Sequence, residues 1–216
     1  RNDAGLLPLT DEELSGVRLY VERFAGGENG ELTAKLLEII REHDPTMTLV
    51  ERLEEAILAF IWILPKQHLS KREPTVETGP LTGIDQVERI MEIQRTVPTI
   101  TAIDFSSPWL IQEFEPYAAT FLATFGTREE ALLDVIRGRY HPTGKLPITI
   151  PATKGALELE KGDVPGFSGS PNYTYIAKTG DRYENGFGLS YTDRGPGAMF
   201  KNFRTFIKIF LTNEGK

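Results

Sequence analysis

The sequence predicts an α/β protein in which a mostly parallel sheet is sandwiched between helices, followed by an irregular C-terminal wrap. Two observations lead to this prediction. Segments with the spacing of strands alternate with segments with the spacing of helices between residues 17 and 150. Most neighbouring strand-like segments are separated by a helical one, and this alternation is typical of parallel sheets that are covered on both faces.

The first half of this pattern contains three strands and one helix. Val17–Phe24 alternates between apolar and polar residues and is bracketed by glycines, which predicts a strand. Glu31–His43 carries apolar residues with the spacing of one helical face, and Asp44-Pro45 ends it. Thr46–Val50 is a short β-rich run, and the continuous apolar run Ala56–Leu64 predicts a buried strand.

The second half alternates between helix and strand. Ile84–Val97 again has helical spacing, and Thr99–Phe105 is β-branched and alternating. The remaining predicted elements are a helix over Trp109–Ala119, a strand over Thr120–Phe125, a helix over Arg128–Arg137 and a strand over Lys145–Ile150. The loops after the strands, where such sheets bind ligands, are residues 25–30, 51–55, 65–83, 105–108 and 126–127.

Residues 162–197 are rich in Gly, Pro, Asn and Tyr and show no helical period, which predicts the irregular wrap. The aromatic residues of this stretch are Phe167, Tyr173, Tyr175, Tyr183, Phe187 and Tyr191. They have two interpretations: their faces stack on pyranose rings, or they fasten an irregular segment to the core. Physical chemistry alone favours the second.

Composition excludes several classes of function. With 24 basic residues, 31 acidic residues and a formal net charge of −7, the chain lacks the basic surplus of a nucleic-acid-binding protein. No apolar run approaches the ~20 residues that span a bilayer. There is no cysteine for a disulfide or thiolate metal site, and the three histidines lack the spacing of metal ligands. We expect no nucleic acid, membrane, metal or cofactor, and the sequon Asn172-Tyr173-Thr174 slightly favours a secreted or periplasmic protein.

Two loops carry the candidate site residues. Glu73 and Glu77 lie in the long segment 65–83 after the most apolar strand, and carboxyls on such loops act as general acids in sugar hydrolysis. Residues 25–30 read AGGENG and lack the first glycine of the dinucleotide-binding fingerprint. In a nucleotide site, Glu51 would bind the ribose. The alternative for residues 25–30 is a surface turn with flexible glycines.

Three stretches stand out together by their order and spacing. They are Arg1–Leu9 (RNDAGLLPL), Phe125–Val135 (FGTREEALLDV) with Gly138 and Pro142–Pro147 (PTGKLP), and Tyr183–Thr192 (YENGFGLSYT). In combination they resemble the C-terminal α/β-sandwich domain of glycoside hydrolase family 3, the β-glucosidase and β-xylosidase family. The resemblance covers residues 1–192 and implies a flavodoxin-like sandwich.

The resemblance implies a retaining glycosidase built from two parts. A preceding (β/α)8 barrel, a fold of about 250 residues, carries the nucleophilic Asp of the family. The sandwich domain packs over the barrel mouth and lends the acid/base Glu from a loop. In this sequence, Leu81-Thr82-Gly83 stands for the family's Leu-Pro-Gly. Counting back from it places Glu73 at or within one position of that acid, with Glu77 as second choice. The loops 65–83 and 183–191 would face a terminal β-linked sugar of a glycoside or oligosaccharide.

Residues 193–216 are then a linker and the incomplete start of a fibronectin type III-like domain, because Ile207–Lys216 resembles the opening of the third domain of many members. Two other functions stay open. One is a non-catalytic carbohydrate-binding or scaffolding domain, and the other is a nucleotide-binding domain that uses residues 25–30 and Glu51. Because retention needs a second carboxyl about 5–5.5 Å from the first, we expect residues 1–216 alone to fold without hydrolysing glucosides.

Overall fold

The computed structural model describes residues 1–2, 5–25, 29–65, 86–106, 108–153, 155–156 and 172–191. The strands in these residues are β1 (Arg18–Phe24), β2 (Thr48–Val50), β3 (Leu58–Ile63), β4 (Thr99–Asp104) and β5 (Thr120–Thr124). The helices are α1 (Asp11–Leu14), α2 (Asn29–His43), α3 (Val87–Thr96) and α4 (Glu129–Ile136). The sequence predicts all of these elements within a few residues except the short α1.

The strands form one all-parallel sheet in the order β2-β1-β3-β4-β5. This confirms the predicted α/β class with its sheet between helices. The chain first steps outward from β1 to β2, then returns past β1 to β3 and continues in one direction. The strand order therefore reverses between β1 and β3, and such a switch point is where open α/β sheets bind ligands.

Helices cover both faces of the sheet. The helices α2 and α4 pack against the face that carries Phe60 and Trp62 of β3. The helix α3 packs against the opposite face, which carries Ile61 and Ile63 of the same strand. Every side chain of β3 and β4 is buried. Burial on both faces explains why β3 is a continuous apolar run rather than an alternating one.

The predicted helix over Trp109–Ala119 is wrong. Turns and a single 3-10 turn at Glu115–Tyr117 replace it. Pro116 has no N–H for a helical ladder, and irregular chain buries Ile111 and Phe114 against the face of the sheet that also carries α3. The apolar spacing that imitates a helix here belongs to a segment that covers the sheet.

The predicted strand over Lys145–Ile150 is also wrong, since this segment joins none of the described strands. Its backbone bonds to the C-terminal wrap instead. The Leu146 N–H donates to the Phe187 carbonyl over 2.8 Å, and the Ile150 N–H donates to the Tyr183 carbonyl over 2.8 Å. An extended segment needs partners for its backbone groups, and here the wrap supplies them.

Tyrosines fasten residues 172–191 of the wrap to the core. Tyr175 and Tyr183 are buried, and their hydroxyls donate to the Glu115 carboxylate over 2.8 and 3.0 Å. Burial, followed by the charge of Glu115, raises the pKa of both phenols. Both therefore remain protonated donors, and the fastening role is confirmed for these two rings. Phe167 lies outside the described residues.

Candidate functional site

The carboxyl ends of the strands meet at one edge of the sheet because all neighbouring strands are parallel. The strands β1 and β3 end side by side there, with Phe24 opposite Ile63 in the register of the sheet. This pair marks the switch point. The segments 25–30 and 65–83 leave from it, so both start where open α/β sheets bind ligands.

The two candidate acids lie outside the described residues. Glu73 and Glu77 belong to residues 66–85, which are bounded by Pro65 at the carboxyl end of β3 and by Gln86 at the start of α3. The structure thus fixes where the segment leaves and rejoins the domain. The choice between the two glutamates stays a prediction.

The nucleotide-binding alternative is described only in part. Residues 26–28 lie outside the described residues, and Gly30 is exposed in the first turn of α2. Glu51 is exposed directly after β2, at the same edge of the sheet. The nucleotide site also stays a prediction.

An acidic side chain, Asp104, ends β4 at this edge and is 8% exposed. Its Oδ2 accepts a hydrogen bond from the Gly126 N–H over 2.7 Å and another from the Thr124 hydroxyl over 3.3 Å. The same hydroxyl accepts from Trp62 Nε1 over 3.3 Å. Asp104 therefore holds the loop after β5 against β4 and links it to β3.

A cation is fixed beside this network. The Arg23 guanidinium lies 4.8 Å from the centroid of the Trp62 ring, and its Nη1 lies 2.8 Å from Glu129 Oε1. Burial works to raise the pKa of Glu129, but a backbone N–H and Arg23 outweigh it, so this pKa is lowered. Glu129 is therefore charged at neutral pH, and the ion pair ties the first turn of α4 to the end of β1.

Aromatic rings line the edge after β4 and β5. The ring centroids of Phe105 and Phe125 lie 6.2 Å apart, and Phe125 is 43% exposed. The half-buried Trp109 donates from Nε1 to the Asp104 carbonyl over 3.1 Å. Aromatic surface beside a few fixed polar groups is the usual composition of a ligand site.

Sequence reasoning missed Arg23, Trp62 and Asp104 as parts of this edge. Their positions in the strands could have indicated them, because each is the last or the second-last residue of its strand. In a parallel sheet such residues converge on one edge whatever their spacing in the sequence.

The loop 183–191 reaches the ligand-accessible surface only in part. Tyr183 is buried, and its hydroxyl donates to Glu115. Residues 187–191 line a groove of about 480 Å³ along the outer side of β5.

Within the described ranges, no group of three or more His, Asp or Glu side chains is arranged to hold a metal ion. None of the helices in the same ranges has the length and hydropathy to cross a membrane.

Residues 1–191 match the family model described as the glycosyl hydrolase family 3 C-terminal domain. The chain belongs to glycosyl hydrolase family 3. The match includes the wrap as well as the sheet, and it confirms the resemblance carried by the three sequence stretches. The chain thus contains the C-terminal domain of β-glucosidase-like proteins.

The curated relatives of this family 3 domain include β-glucosidases. It is 29% identical to beta-glucosidase C of Emericella nidulans over 195 residues, and this alignment covers 89% of this chain and 28% of the relative. It is 33% identical to the probable beta-glucosidase C of Aspergillus flavus over 122 residues, and this alignment covers 56% of this chain and 18% of the relative. The chain spans less than a third of the length of these relatives.

Solved structures share the fold of the family 3 domain. The beta-glucosidase from Listeria innocua in complex with isofagomine has a TM-score of 0.55 at 18% identity, and the match covers 86% of this chain and 31% of that one. The exo-1,3/1,4-beta-glucanase from a Pseudoalteromonas species has a TM-score of 0.55 at 14% identity, and the match covers 90% of this chain and 27% of that one. At these identities the likeness concerns the fold alone.

Proposed function

We propose that this domain is part of a retaining, β-glucosidase-like glycosidase that hydrolyses terminal β-linked sugars of glycosides and oligosaccharides. A preceding (β/α)8 barrel carries the nucleophilic Asp, and the family 3 domain covers the active site of that barrel. The domain also supplies the acid/base Glu, for which Glu73 is the first candidate and Glu77 the second.

The observation that carries this proposal is where the segment 66–85 leaves the sheet. It starts after Pro65 at the carboxyl end of β3, beside the end of β1, and returns at Gln86. Strand-to-helix loops usually have about 2–6 residues, and much longer ones are commonly functional. The segment therefore starts at the switch point, at the edge where open α/β sheets meet their ligands.

The described residues at this edge of the sheet form a border that is held together by a hydrogen bond and an ion pair. Asp104 holds the Gly126 N–H over 2.7 Å, and Arg23 holds Glu129 over 2.8 Å. These interactions fix the ends of β4 and β1, respectively, to the chain that follows β5. A border of this kind gives a second domain a defined surface to dock against, which a two-part active site requires.

The chemistry explains why two domains are needed. In the first step, the barrel Asp attacks the anomeric carbon while the protonated Glu donates its proton to the leaving oxygen. In the second step, water attacks the glycosyl-enzyme and passes a proton back to the same Glu, now a carboxylate. Retention needs the two carboxyls about 5–5.5 Å apart, so the Glu loop must lie over the mouth of the barrel.

Glu73→Gln and Glu77→Gln in the complete protein test the assignment, with Glu38→Gln on the exposed side of α2 as the control. General acid–base catalysis contributes about 10²–10⁴-fold, and turnover of alkyl β-glucosides is expected to fall by that factor in Glu73→Gln. On an aryl glucoside with a good leaving group, added azide restores turnover because it attacks without needing a base. Full activity in both Glu73→Gln and Glu77→Gln would overturn the assignment.

The domain boundary is part of the same proposal. We assign residues 1–192 to the sandwich domain, and residues 193–216 to a linker and the start of a fibronectin type III-like domain. Residues 192–216 lie outside the described residues, and the family match ends at residue 191. A non-catalytic carbohydrate-binding or scaffolding domain is the alternative, and it would leave the complete protein without turnover of any β-glycoside.

A further inference from the structure

The carboxylate of Asp104 has an oxygen that can still accept hydrogen bonds. Asp104 ends β4 at the edge of the sheet from which the segment 66–85 leaves, and it is 8% exposed. Its Oδ2 accepts the hydrogen bonds from the Gly126 N–H and the Thr124 hydroxyl. In the part of the chain that the structure describes, no group donates to Oδ1. A carboxylate accepts up to about four hydrogen bonds, so Oδ1 is free to bind a donor.

Neighbouring residues fix the orientation of this carboxylate. The Thr124 hydroxyl that donates to Oδ2 accepts a hydrogen bond from Trp62 Nε1 over 3.3 Å. Trp109 Nε1 donates to the backbone carbonyl of Asp104 over 3.1 Å. The side chain and the backbone of Asp104 are thus both held before any ligand arrives. A preorganised acceptor loses little conformational entropy on binding, which favours a specific contact with a ligand.

Phe125 exposes an aromatic surface at the same edge, directly before the Gly126 that bonds to Asp104. It is 43% exposed, and its ring centroid lies 6.2 Å from that of Phe105, which is 4% exposed. Phe105 therefore supports the ring of Phe125 from the interior, while a large part of that ring remains accessible to a ligand.

A free acceptor oxygen beside an exposed aromatic ring matches the chemistry of a sugar. The hydroxyls of a sugar donate to carboxylate oxygens, and its apolar C–H face packs against an aromatic ring. An anionic ligand such as a phosphate would be repelled by the carboxylate of Asp104. An apolar ligand would cover Oδ1 without giving it a donor, which costs free energy. Asp104 and Phe125 together therefore favour a neutral ligand with several hydroxyls.

We propose that Asp104 and Phe125 bind the sugar on the leaving-group side of the scissile bond, so that Asp104 selects sugar leaving groups over aryl ones. This inference rests on the proposed function, which places the nucleophile, and with it the terminal sugar, on the barrel. The edge of the sheet then faces the part of the glycoside that projects from the barrel. Oδ1 of Asp104 accepts from a hydroxyl of the leaving sugar, and Phe125 packs against the C–H face of this sugar.

Asp104→Asn in the complete protein tests the role of the carboxylate. The amide oxygen can still accept from the Gly126 N–H, but the amide nitrogen that replaces the other oxygen cannot accept from a sugar. The kcat/KM for cellobiose is expected to fall roughly 10–100-fold, and that for para-nitrophenyl β-glucoside by less than about 3-fold. Asp181→Asn, in a surface turn of the wrap, is the control and should change neither value. Equal losses on both substrates, or no loss on either, would overturn the role of Asp104.

Phe125→Ala tests the aromatic surface, and Tyr117→Ala is its matched control. Tyr117 is 45% exposed and precedes β5 at the opposite edge of the sheet, so both substitutions remove a ring of similar exposure. The KM for cellobiose is expected to rise roughly 3–10-fold in Phe125→Ala and to stay unchanged in Tyr117→Ala. The same KM in both variants would overturn the role of Phe125.

Binding of thiocellobiose, in which sulfur replaces the bridging oxygen, separates this inference from the proposed function. Calorimetric titration of the complete protein is expected to give at least ~10-fold weaker binding in Asp104→Asn than in the wild type. A protein that binds thiocellobiose through Asp104 but hydrolyses no β-glycoside would refute the proposed function alone. An active protein whose affinity for thiocellobiose is unchanged in Asp104→Asn would refute only this inference.

Discussion

Arg1 and Glu115 form an ion pair across 114 residues of sequence, with an Nη1–Oε1 distance of 2.7 Å and almost no solvent exposure. Hydroxyls of Tyr175 and Tyr183 bond to the same carboxylate. One buried charge therefore joins the first residue, the irregular segment that covers the sheet, and the C-terminal wrap. It is the point at which the three segments outside the regular α/β pattern meet.

Glu115→Gln is expected to lower the free energy of unfolding by about 3–5 kcal/mol, because it removes one of the two charges of a buried ion pair. Urea denaturation at neutral pH measures the change. The matched control is Glu113→Gln, since Glu113 is exposed in the same segment and its substitution is expected to cost less than about 0.5 kcal/mol. Equal effects of the two substitutions would contradict the role of Glu115.

Asp44 is predicted to make stability depend on acid pH. Its side chain is fully buried and contacts Arg137 and Arg139. Burial works to raise the pKa of Asp44, but the Thr46 hydroxyl and the two guanidinium groups outweigh it, so this pKa is lowered. A carboxyl with a lowered pKa stabilises the folded state above its unfolded pKa of about 3.9 and loses this effect as the pH falls further.

The substitution Asp44→Asn is therefore expected to destabilise the protein at neutral pH and to flatten its acid response. Urea midpoints measured between about pH 7 and pH 3 should fall less steeply in Asp44→Asn than in the wild type. The exposed Glu38→Gln serves as the control and should keep the wild-type slope. The same slope in Asp44→Asn and wild type would show that Asp44 does not titrate in this way.

Alanine substitutions at two glycines distinguish the stability cost of backbone strain from that of a steric clash. Gly126 has a φ of 63° with open space where a Cβ would be, whereas Gly138 has a φ of 72° and its Cβ would lie 2.6 Å from Pro8 Cβ. Gly126→Ala is expected to cost about 1–2 kcal/mol for the left-handed backbone alone. Gly138→Ala should cost more, because Pro8 must also move. Thermal unfolding of the two variants measures the difference, and equal losses would argue against the contact with Pro8.

The sheet was predictable because its strands are short apolar or alternating runs that burial explains directly. Ala56–Leu64 predicted β3, and Thr99–Phe105 predicted β4, since both strands are buried on both faces. The two wrong predictions concern segments whose apolar residues pack against the core although the segments form neither a helix nor a strand of the sheet. Trp109–Ala119 has the spacing of a helix and Lys145–Ile150 that of a strand, but tertiary contacts with the sheet and the wrap set their conformations.

The sequence predicted where the candidate site lies in the fold, but not all of the residues that form it. The sequence assigned it to loops after strands, and the parallel sheet brings the ends of those strands to one edge. It did not indicate that Glu115 is buried, because a carboxylate in an apparent helix is solvated by default and its partner, Arg1, lies 114 residues away. Nor does a single chain identify the acid, since the choice between Glu73 and Glu77 depends on the distance of each to a carboxyl on another domain.

The central claim is that this domain contributes one carboxyl of an active site whose other carboxyl lies on a preceding domain. Turnover of para-nitrophenyl β-glucoside by the complete protein and by residues 1–216 alone tests it most directly, with circular dichroism to establish that residues 1–216 are folded. We predict hydrolysis by the complete protein and none by the folded residues 1–216. Turnover by residues 1–216, or a folded complete protein that hydrolyses no β-glycoside, would contradict the claim.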